Sequence, residues 1–183
     1  MSGKGIAIVA GLFVLAFILL ALGRCGYRKI DALQTLENAE AEMRRQFPRL
    51  ESISHRELEA FLASGPILLV DARGEEEFAV SRLSGARNFE RADEIKVFLE
   101  REGSEFDLIL LYGAIGFRSA EVADELRESG QRVRHLEGGI FRWINEGNPV
   151  FDADGNQIEL VHPYNRIWGR LLADEYRMSL EED

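Results

Sequence analysis

The stretch LILLYGAIGFRSAEV, residues 108–122, has the residue types of a reactive loop but contains no nucleophile. An apolar run that indicates a buried strand leads into a loop bounded by glycines, and an Arg-Ser pair opens the next helix. Backbone amides at a helix start and a nearby guanidinium favour anion binding. These residues form a candidate cradle for a small oxyanion such as sulfate, phosphate or carboxylate: Gly113, Ala114, Ile115, Gly116, Phe117, Arg118 and Ser119.

The glycines of this loop also have a simpler interpretation. Glycine adopts backbone conformations that other residues avoid. Gly113 and Gly116 could therefore be present only because they allow a tight turn, without any ligand. The sequence leaves both interpretations open.

Composition excludes several classes of function. The 183 residues carry a formal net charge of -10, which argues against a nucleic-acid partner, because phosphates require a basic surface. The single cysteine, Cys25, excludes an intramolecular disulfide and a cysteine-rich metal site. The three histidines are far apart and lack ligand-like spacing, so we expect no metal and no cofactor: His55, His135 and His162.

Apolar runs alternate with helical patterns through the middle of the chain. PILLVDAR and FDLILLY read as strands buried on both faces, and QRVRHLEGG as a third strand. SHRELEAFLASG predicts a helix capped by Ser54 with Glu57 at the capping-box position, and further helices are predicted at residues 92–102, FRSAEVADELRESG and IFRWINEGNPV. The alternation predicts an α/β fold, a parallel sheet with helices on both faces.

Four motifs in this segment resemble the rhodanese-homology domain. They are DARGEEEF, RLSGARNF, LLYGAIGFRSAEVA and LEGGIFRWINEGNPV, and they occur in the order expected for that family. The resemblance covers residues 52–150. It implies a small parallel α/β sheet whose site is the loop between the central strand and the following helix.

The resemblance also implies that this chain is not a catalyst. Active members begin the loop with a cysteine, in the pattern Cys-x-x-Gly-x-Arg-Ser, and the thiolate carries sulfane sulfur as a persulfide. That pattern places Gly116, Arg118 and Ser119 on its last three fixed positions and Gly113 on the cysteine. Glycine has no atom that could carry sulfur, and the related phosphatases need the same cysteine. We therefore expect no catalytic residue in the loop.

Other positions matched by the resemblance are expected to hold the fold. Arg73 and Glu77 are expected to form an ion pair that fixes the turn after the first strand. Asn88 is expected to bond neighbouring backbone. The Gly138-Gly139 pair suits a tight strand-to-helix turn with Trp143 packed under it.

Two functions from different classes remain at the level of sequence. The first is a non-catalytic module that binds a small oxyanion or a protein partner whose identity the sequence does not give. The alternative is a sulfurtransferase that uses Cys25 or a cysteine supplied by a partner. The glycine at position 113 favours the first.

The N-terminus, residues 1–28, is predicted to be a single-span membrane anchor. Residues 5–23 carry no charge, and a helix of that length is roughly 28 Å long, close to the hydrocarbon thickness of a bilayer. A cleaved signal peptide would need small residues at its cleavage site, and the exit LGRCGYRK lacks a suitable pair. A buried core helix would carry a polar stripe, whereas this segment is apolar all round. Basic residues follow the span, which favours a cytoplasmic soluble domain. A single-span anchor without organelle signals suits the inner membrane of a bacterium.

A helical stalk or linker is predicted for residues 29–51. Apolar residues recur at helical spacing up to Phe47, and Pro48 ends the pattern. The stripe could pack on the chain's own domain, or it could form a short coiled coil that makes a homodimer.

A C-terminal extension, residues 151–183, follows the rhodanese-like segment. Asp154-Gly155 predicts a hairpin turn, and HPYNRIWGRLLADEYRM predicts a helix that begins after Pro163. Asp152, Asp154 and Asn156 have the opening spacing of a calcium loop. However, the glycine and the glutamate that such a loop requires later are missing, so a hairpin is favoured.

Overall fold

The apolar runs predicted as strands lie side by side in a five-stranded parallel sheet. The computed structural model describes residues 35–102 and 106–180. The strands are β1 (Ser52–Ile53), β2 (Ile67–Asp71), β3 (Arg87–Asn88), β4 (Leu108–Tyr112) and β5 (Val133–Leu136), in the order β1-β5-β4-β2-β3. The two-residue strands β1 and β3 were not predicted, because two residues show no periodicity.

Alternate residues of the central strands pack into two separate cores, one on each face of the sheet. Leu69, Leu110 and Tyr112 belong to one core, and Leu68 and Val70 belong to the other. The helices are α1 (Leu36–Gln46), α2 (His55–Leu62), α3 (Glu75–Val80), α4 (Ala92–Glu102), α5 (Phe117–Glu128) and α6 (Gly139–Asn145). Residues of α2 and α6 enter the first core, and residues of α4 and α5 enter the second. The α/β prediction with helices on both faces is confirmed.

The structure confirms the predicted residues at the start of α2 and at the end of α5. The backbone N–H of Ser54 donates to the Glu57 carboxylate over 3.0 Å, which completes the capping box of α2. Helix α5 ends just before Gly130, whose φ of +86° is accessible to glycine at little cost.

Helix α1, which lies in the predicted stalk, packs on the chain's own domain. Ala39, Glu40 and Met43 are buried, and Glu40 pairs with Arg142 of α6 over 2.7 Å. Met43 is 1% exposed, so it is not free to form the seam of a coiled coil. A homodimer through the rest of the stalk stays a prediction.

The hairpin of the C-terminal extension is confirmed, whereas its helix is wrong. Strands β6 (Val150–Phe151) and β7 (Gln157–Ile158) pair antiparallel, and Gly155 in the turn between them has a φ of +82°. The rest is an irregular strap, residues 159–178, that contains two short 3-10 helices, Trp168–Leu171 and Asp174–Tyr176. We call it the C-terminal strap.

Side-chain bonds from outside the strap explain why no α-helix forms there. The Asn145 amide of α6 donates to the Leu171 carbonyl oxygen over 2.7 Å and accepts the Ala173 N–H over 2.9 Å. Leu171 and Leu172 are both buried although they are consecutive, whereas an α-helix with one buried face would separate them by about 100°. These tertiary contacts fix an irregular path.

Within residues 35–102 and 106–180, no helix is both long and apolar enough to cross a membrane. The predicted span at residues 5–23 and Cys25 lie outside the described residues.

Candidate functional site

The loop of residues 113–116 lies at the carboxyl edge of the sheet, between β4 and α5. Helix α6 holds it from the side: the N–H groups of Ile140 and Phe141 donate to the carbonyl oxygens of Gly113 and Ala114 over 2.9 and 3.0 Å. Gly139 permits this contact, because a β-carbon there would collide with those two carbonyl groups. The loop's carbonyl groups are therefore tied to α6.

The amides of the same loop are left without protein partners. Among the described residues, no acceptor takes a hydrogen bond from the backbone N–H groups of residues 114–119. The first bonded amide of α5 is that of Ala120, which donates to the Gly116 carbonyl oxygen over 2.9 Å. Such a row of free N–H groups at a helix start is suited to an anion. All seven predicted cradle residues lie together here.

The two loop glycines differ in what the backbone requires. Gly116 has a φ of +113°, and a β-carbon there would lie 2.9 Å from the Met43 sulfur. Gly113 has no positive φ, and a β-carbon there would make ordinary contacts of 3.5–3.7 Å with Ser119. The tight-turn interpretation is therefore right for Gly116, while nothing in the backbone requires glycine at position 113.

Ser119 is a structural residue of the loop. Its side chain is buried, and its hydroxyl group donates to the Gly116 carbonyl oxygen over 2.9 Å. This bond closes the first turn of α5 on the loop. A hydroxyl group with that partner and no base beside it is not an activated nucleophile.

Arg118 lies beside the cradle and faces two carboxylates. Its Nη1 is 3.6 Å from Glu77 Oε2 and 3.9 Å from Glu90 Oε2. Its guanidinium carbon lies 5.5 Å from the centre of the Tyr164 ring. The positive charge available to an anion is thus reduced by these acidic neighbours.

The expected ion pair between Arg73 and Glu77 is wrong. Arg73 is 1% exposed and binds Asp71 through both ends of its guanidinium, with Nε–Oδ1 at 3.0 Å and Nη2–Oδ2 at 2.7 Å. Burial lowers the pKa of Arg73, but Asp71 together with Tyr112 and Glu77 raises it by more, so the group stays charged. Asn88 donates to the carbonyl oxygens of Asp71 and Arg73, which confirms its predicted role.

Glu77 instead lies against the loop. It is 5% exposed and accepts the Gly74 N–H over 3.1 Å at the start of α3. Burial raises the pKa of its carboxyl group, although Arg73 and Arg118 act in the opposite direction. The pair of Arg73 with Glu77 was expected among the positions matched by the resemblance. Side chains four residues apart meet only where both residues lie on a helix. Arg73, however, precedes α3.

A pocket of about 230 Å³ opens at the loop, and the C-terminal strap forms one of its walls. The strap contributes Tyr164 and Trp168 to the lining, and the start of α5 contributes Phe117 and Arg118. The sequence predicted a helix that contains Trp168, but not that this residue borders the loop. Tyr164 and Glu77 were missed as site residues, since no local pattern relates them to the loop.

The histidines lie apart from this pocket, except for His162 next to Tyr164. His55 contacts the Glu146 carboxylate, and His135 is buried in β5. His162 Nδ1 accepts the Tyr164 N–H over 3.1 Å. No group of three or more potential metal-ligating side chains occurs among the described residues. At the hairpin, Asp152 accepts bonds from the N–H groups of Asp154 and Asn156.

Parts of this chain are similar to known proteins. A curated relative, an HTH-type transcriptional regulator of Mycobacterium tuberculosis, is 26% identical over 110 residues, which cover 57% of this chain and 49% of the relative. The chain thus spans about half the length of that relative.

Solved structures give the fold. Thiosulfate sulfurtransferase from Pseudomonas aeruginosa is 24% identical with a TM-score of 0.51, and the match covers 58% of this chain and 20% of that one. A rhodanese-like domain protein from Staphylococcus aureus is 31% identical with a TM-score of 0.45, and the match covers 54% of this chain and 95% of that one.

The family match covers the sheet and the loop described above. The family model for the rhodanese-like domain matches residues 54–146, just over half of the chain. This segment runs from the cap of α2 to the end of α6 and includes the whole loop after β4. The chain belongs to the family of proteins with a rhodanese-like domain.

Proposed function

We propose that the chain is a membrane-tethered, non-catalytic rhodanese-like module whose loop after β4 binds a small oxyanion or an acidic group of a protein partner. The observation that carries the proposal is the row of amides of residues 114–119, which have no partner among the described residues, behind a first loop position, Gly113, without a nucleophilic side chain. Sulfur transfer through a persulfide needs a thiolate there.

The same geometry supports the binding half of the proposal. The amides of residues 114–119 are free to donate, and Arg118 is half-buried beside them. Glu77 and Glu90 lie within 4 Å of Arg118 and weaken its attraction for an anion. We therefore expect weak binding that is sensitive to salt.

Restoring the missing thiol tests the proposal directly. The full-length protein is assayed for transfer of sulfur from thiosulfate to cyanide, beside Cys25→Ser and the double variant Cys25→Ser, Gly113→Cys. We expect turnover only in the double variant, because a β-carbon fits at position 113 and the free amides can stabilise a thiolate. The control variant Cys25→Ser, Gly113→Ser should be silent.

Each other result has a defined meaning. Activity of the wild-type chain that is lost in Cys25→Ser would establish the alternative, a sulfurtransferase that uses Cys25. Activity that survives in Cys25→Ser would contradict the proposal altogether. A folded double variant without activity would show that the loop is not a working cradle, and the binding role would then lie elsewhere on the surface.

The membrane tether is a separate part of the proposal with its own test. Residues 5–23 are uncharged and of spanning length, and Arg24, Arg28 and Lys29 follow them. We expect the full chain to stay with membranes after a high-salt wash, and a chain without residues 5–23 to be released. A reporter that is active only in the periplasm, fused to the C-terminus, should remain silent. A strong signal would reverse the predicted orientation.

A further inference from the structure

The pocket at the loop is completed by residues outside the family-matched segment. That segment ends at residue 146, whereas Tyr164 and Trp168 belong to the C-terminal strap. The volume of about 230 Å³ lies below the range of roughly 300–1,000 Å³ that drug-sized ligands occupy. A ligand of this pocket is therefore small, with a body no larger than about one ring.

Two residues that line the pocket each have a polar side-chain atom without a hydrogen-bond partner. Arg73 Nη1 and Glu77 Oε1 are buried, and neither has a partner among the described residues. Arg73 is 1% exposed and Glu77 is 5% exposed, so bulk water does not reach these side chains freely. A buried donor and a buried acceptor without partners require an explanation, and a group bound in the pocket that both residues line would supply one.

Three aromatic side chains line the pocket. Phe117 lies at the start of α5, and Tyr164 and Trp168 belong to the strap. Tyr164 has a φ of +63°, a conformation that is unfavourable for a large side chain, and its N–H is held by His162 Nδ1. Backbone strain of this kind persists at binding sites, where the surrounding structure holds the residue in place.

The charges around the pocket suit one negative charge better than two. Arg73 is neutralised by Asp71, and Arg118 lies near Glu77 and Glu90. The free amides add partial positive charge without a further cation. Burial raises the pKa of the Glu77 carboxyl group, although Arg73, the Gly74 N–H and Arg118 lower it.

We propose that the pocket binds a monovalent organic oxyanion with a single aromatic ring. The oxyanion lies at the amides of residues 114–119 beside Arg118, and the ring lies between Phe117 and the strap residues Tyr164 and Trp168. This inference rests on the proposed anion-binding function and names the class of ligand for the same loop.

Three probes separate the ring from the charge. Calorimetric titrations of the full-length protein with benzenesulfonate, methanesulfonate and sulfate compare one head group with and without a ring, and one charge with two. We expect benzenesulfonate to bind about tenfold more tightly than methanesulfonate, because the ring is buried against aromatic side chains. Sulfate should bind no more tightly than methanesulfonate.

Variants of the strap locate the ring. Trp168→Leu, and independently Tyr164→Leu, should remove most of the tenfold ratio. Ile167→Ala, which changes an exposed neighbour that does not border the pocket, should retain it. Since the readout is a ratio within each folded variant, a variant that fails to fold leaves the other one to decide.

The outcomes distinguish this inference from the function on which it rests. Equal affinity for benzenesulfonate and methanesulfonate would overturn the aromatic ligand and leave anion binding intact. A tenfold ratio that persists in both strap variants would also overturn it, because the ring would then lie elsewhere. No heat with any of the three probes would contradict both the inference and oxyanion binding at the loop.

Discussion

At the scale of single residues, the loop contains two glycines that look alike in sequence and differ in their physical role. Gly116 occupies a positive φ and lies against buried Met43, while Gly113 has an ordinary φ and space for a side chain. The sequence left open whether each glycine serves an anion cradle or a tight turn, because residue types alone do not determine the backbone conformation of a loop. The absence of a side chain at Gly113 thus has no structural cause.

Two alanine variants test this difference. Gly116→Ala should destabilise the fold by about 1–3 kcal/mol, because alanine is strained at that φ and its β-carbon crowds the Met43 sulfur. Gly113→Ala should leave the stability unchanged or raise it by up to about 1 kcal/mol, since it restricts the unfolded chain. Chemical denaturation of both variants measures the difference. Equal destabilisation would show that position 113 also requires glycine.

The ion-pair partner of Arg73 shows that a family resemblance places residues near a turn without fixing which of them pair. Glu77 follows Arg73 by four residues, but Arg73 precedes α3 and turns back to Asp71 at the end of β2. Its Nη2 also donates to the Ser81 carbonyl oxygen over 2.5 Å. Because Arg73 pairs with Asp71, Glu77 lines the pocket with a carboxylate oxygen, Oε1, that has no hydrogen-bond partner among the described residues.

At the scale of elements, the sequence predicted those helices and strands whose formation is determined by their own residues. Strands β2 and β4 and helix α5 were found because apolar runs, periodicity and terminal glycines lie within the elements themselves. The strap was predicted as a helix and is irregular, because the Asn145 side chain of α6 bonds its backbone at Leu171 and Ala173. Such bonds depend on the finished fold.

The candidate site divides in the same way. Its seven loop residues could be predicted, because a strand, a glycine-containing loop and a helix follow one another directly in the sequence. Tyr164 and Trp168 come from a segment more than forty residues later, and Met43 comes from a helix that precedes the domain. Only the packing of these segments on the loop reveals them.

At the scale of the whole molecule, segments on both sides of the family-matched domain meet at one loop. Helix α1 places Met43 under Gly116, and the strap places Tyr164 over Arg118. Neither segment lies within residues 54–146. Helix α1 and the strap, which both lie outside the family-matched segment, thus shape the site.

The stability of the whole molecule should depend on pH through His135. This side chain is 2% exposed in β5, and burial lowers its pKa from 6.5 to about 4. The unfolded chain then binds a proton between those values that the folded chain does not, so stability is complete above about pH 6.5 and falls towards pH 4. The shift corresponds to a loss of about 3 kcal/mol in the free energy of unfolding.

The variant His135→Gln lacks this titrating group, so its comparison with the wild-type protein isolates the contribution of His135 to the pH dependence of stability. Glu40 and Glu77, whose pKa values burial raises, contribute in the opposite direction, since their stabilisation is lost as the pH rises above about 4.5. Both groups are present in both proteins and cancel in the comparison. Urea denaturation at pH 7.5 and pH 4.5 should show a larger loss of stability on acidification for the wild-type protein than for the variant. Parallel losses would mean that His135 takes up its proton without unfolding, which its burial between β1 and β4 makes unfavourable.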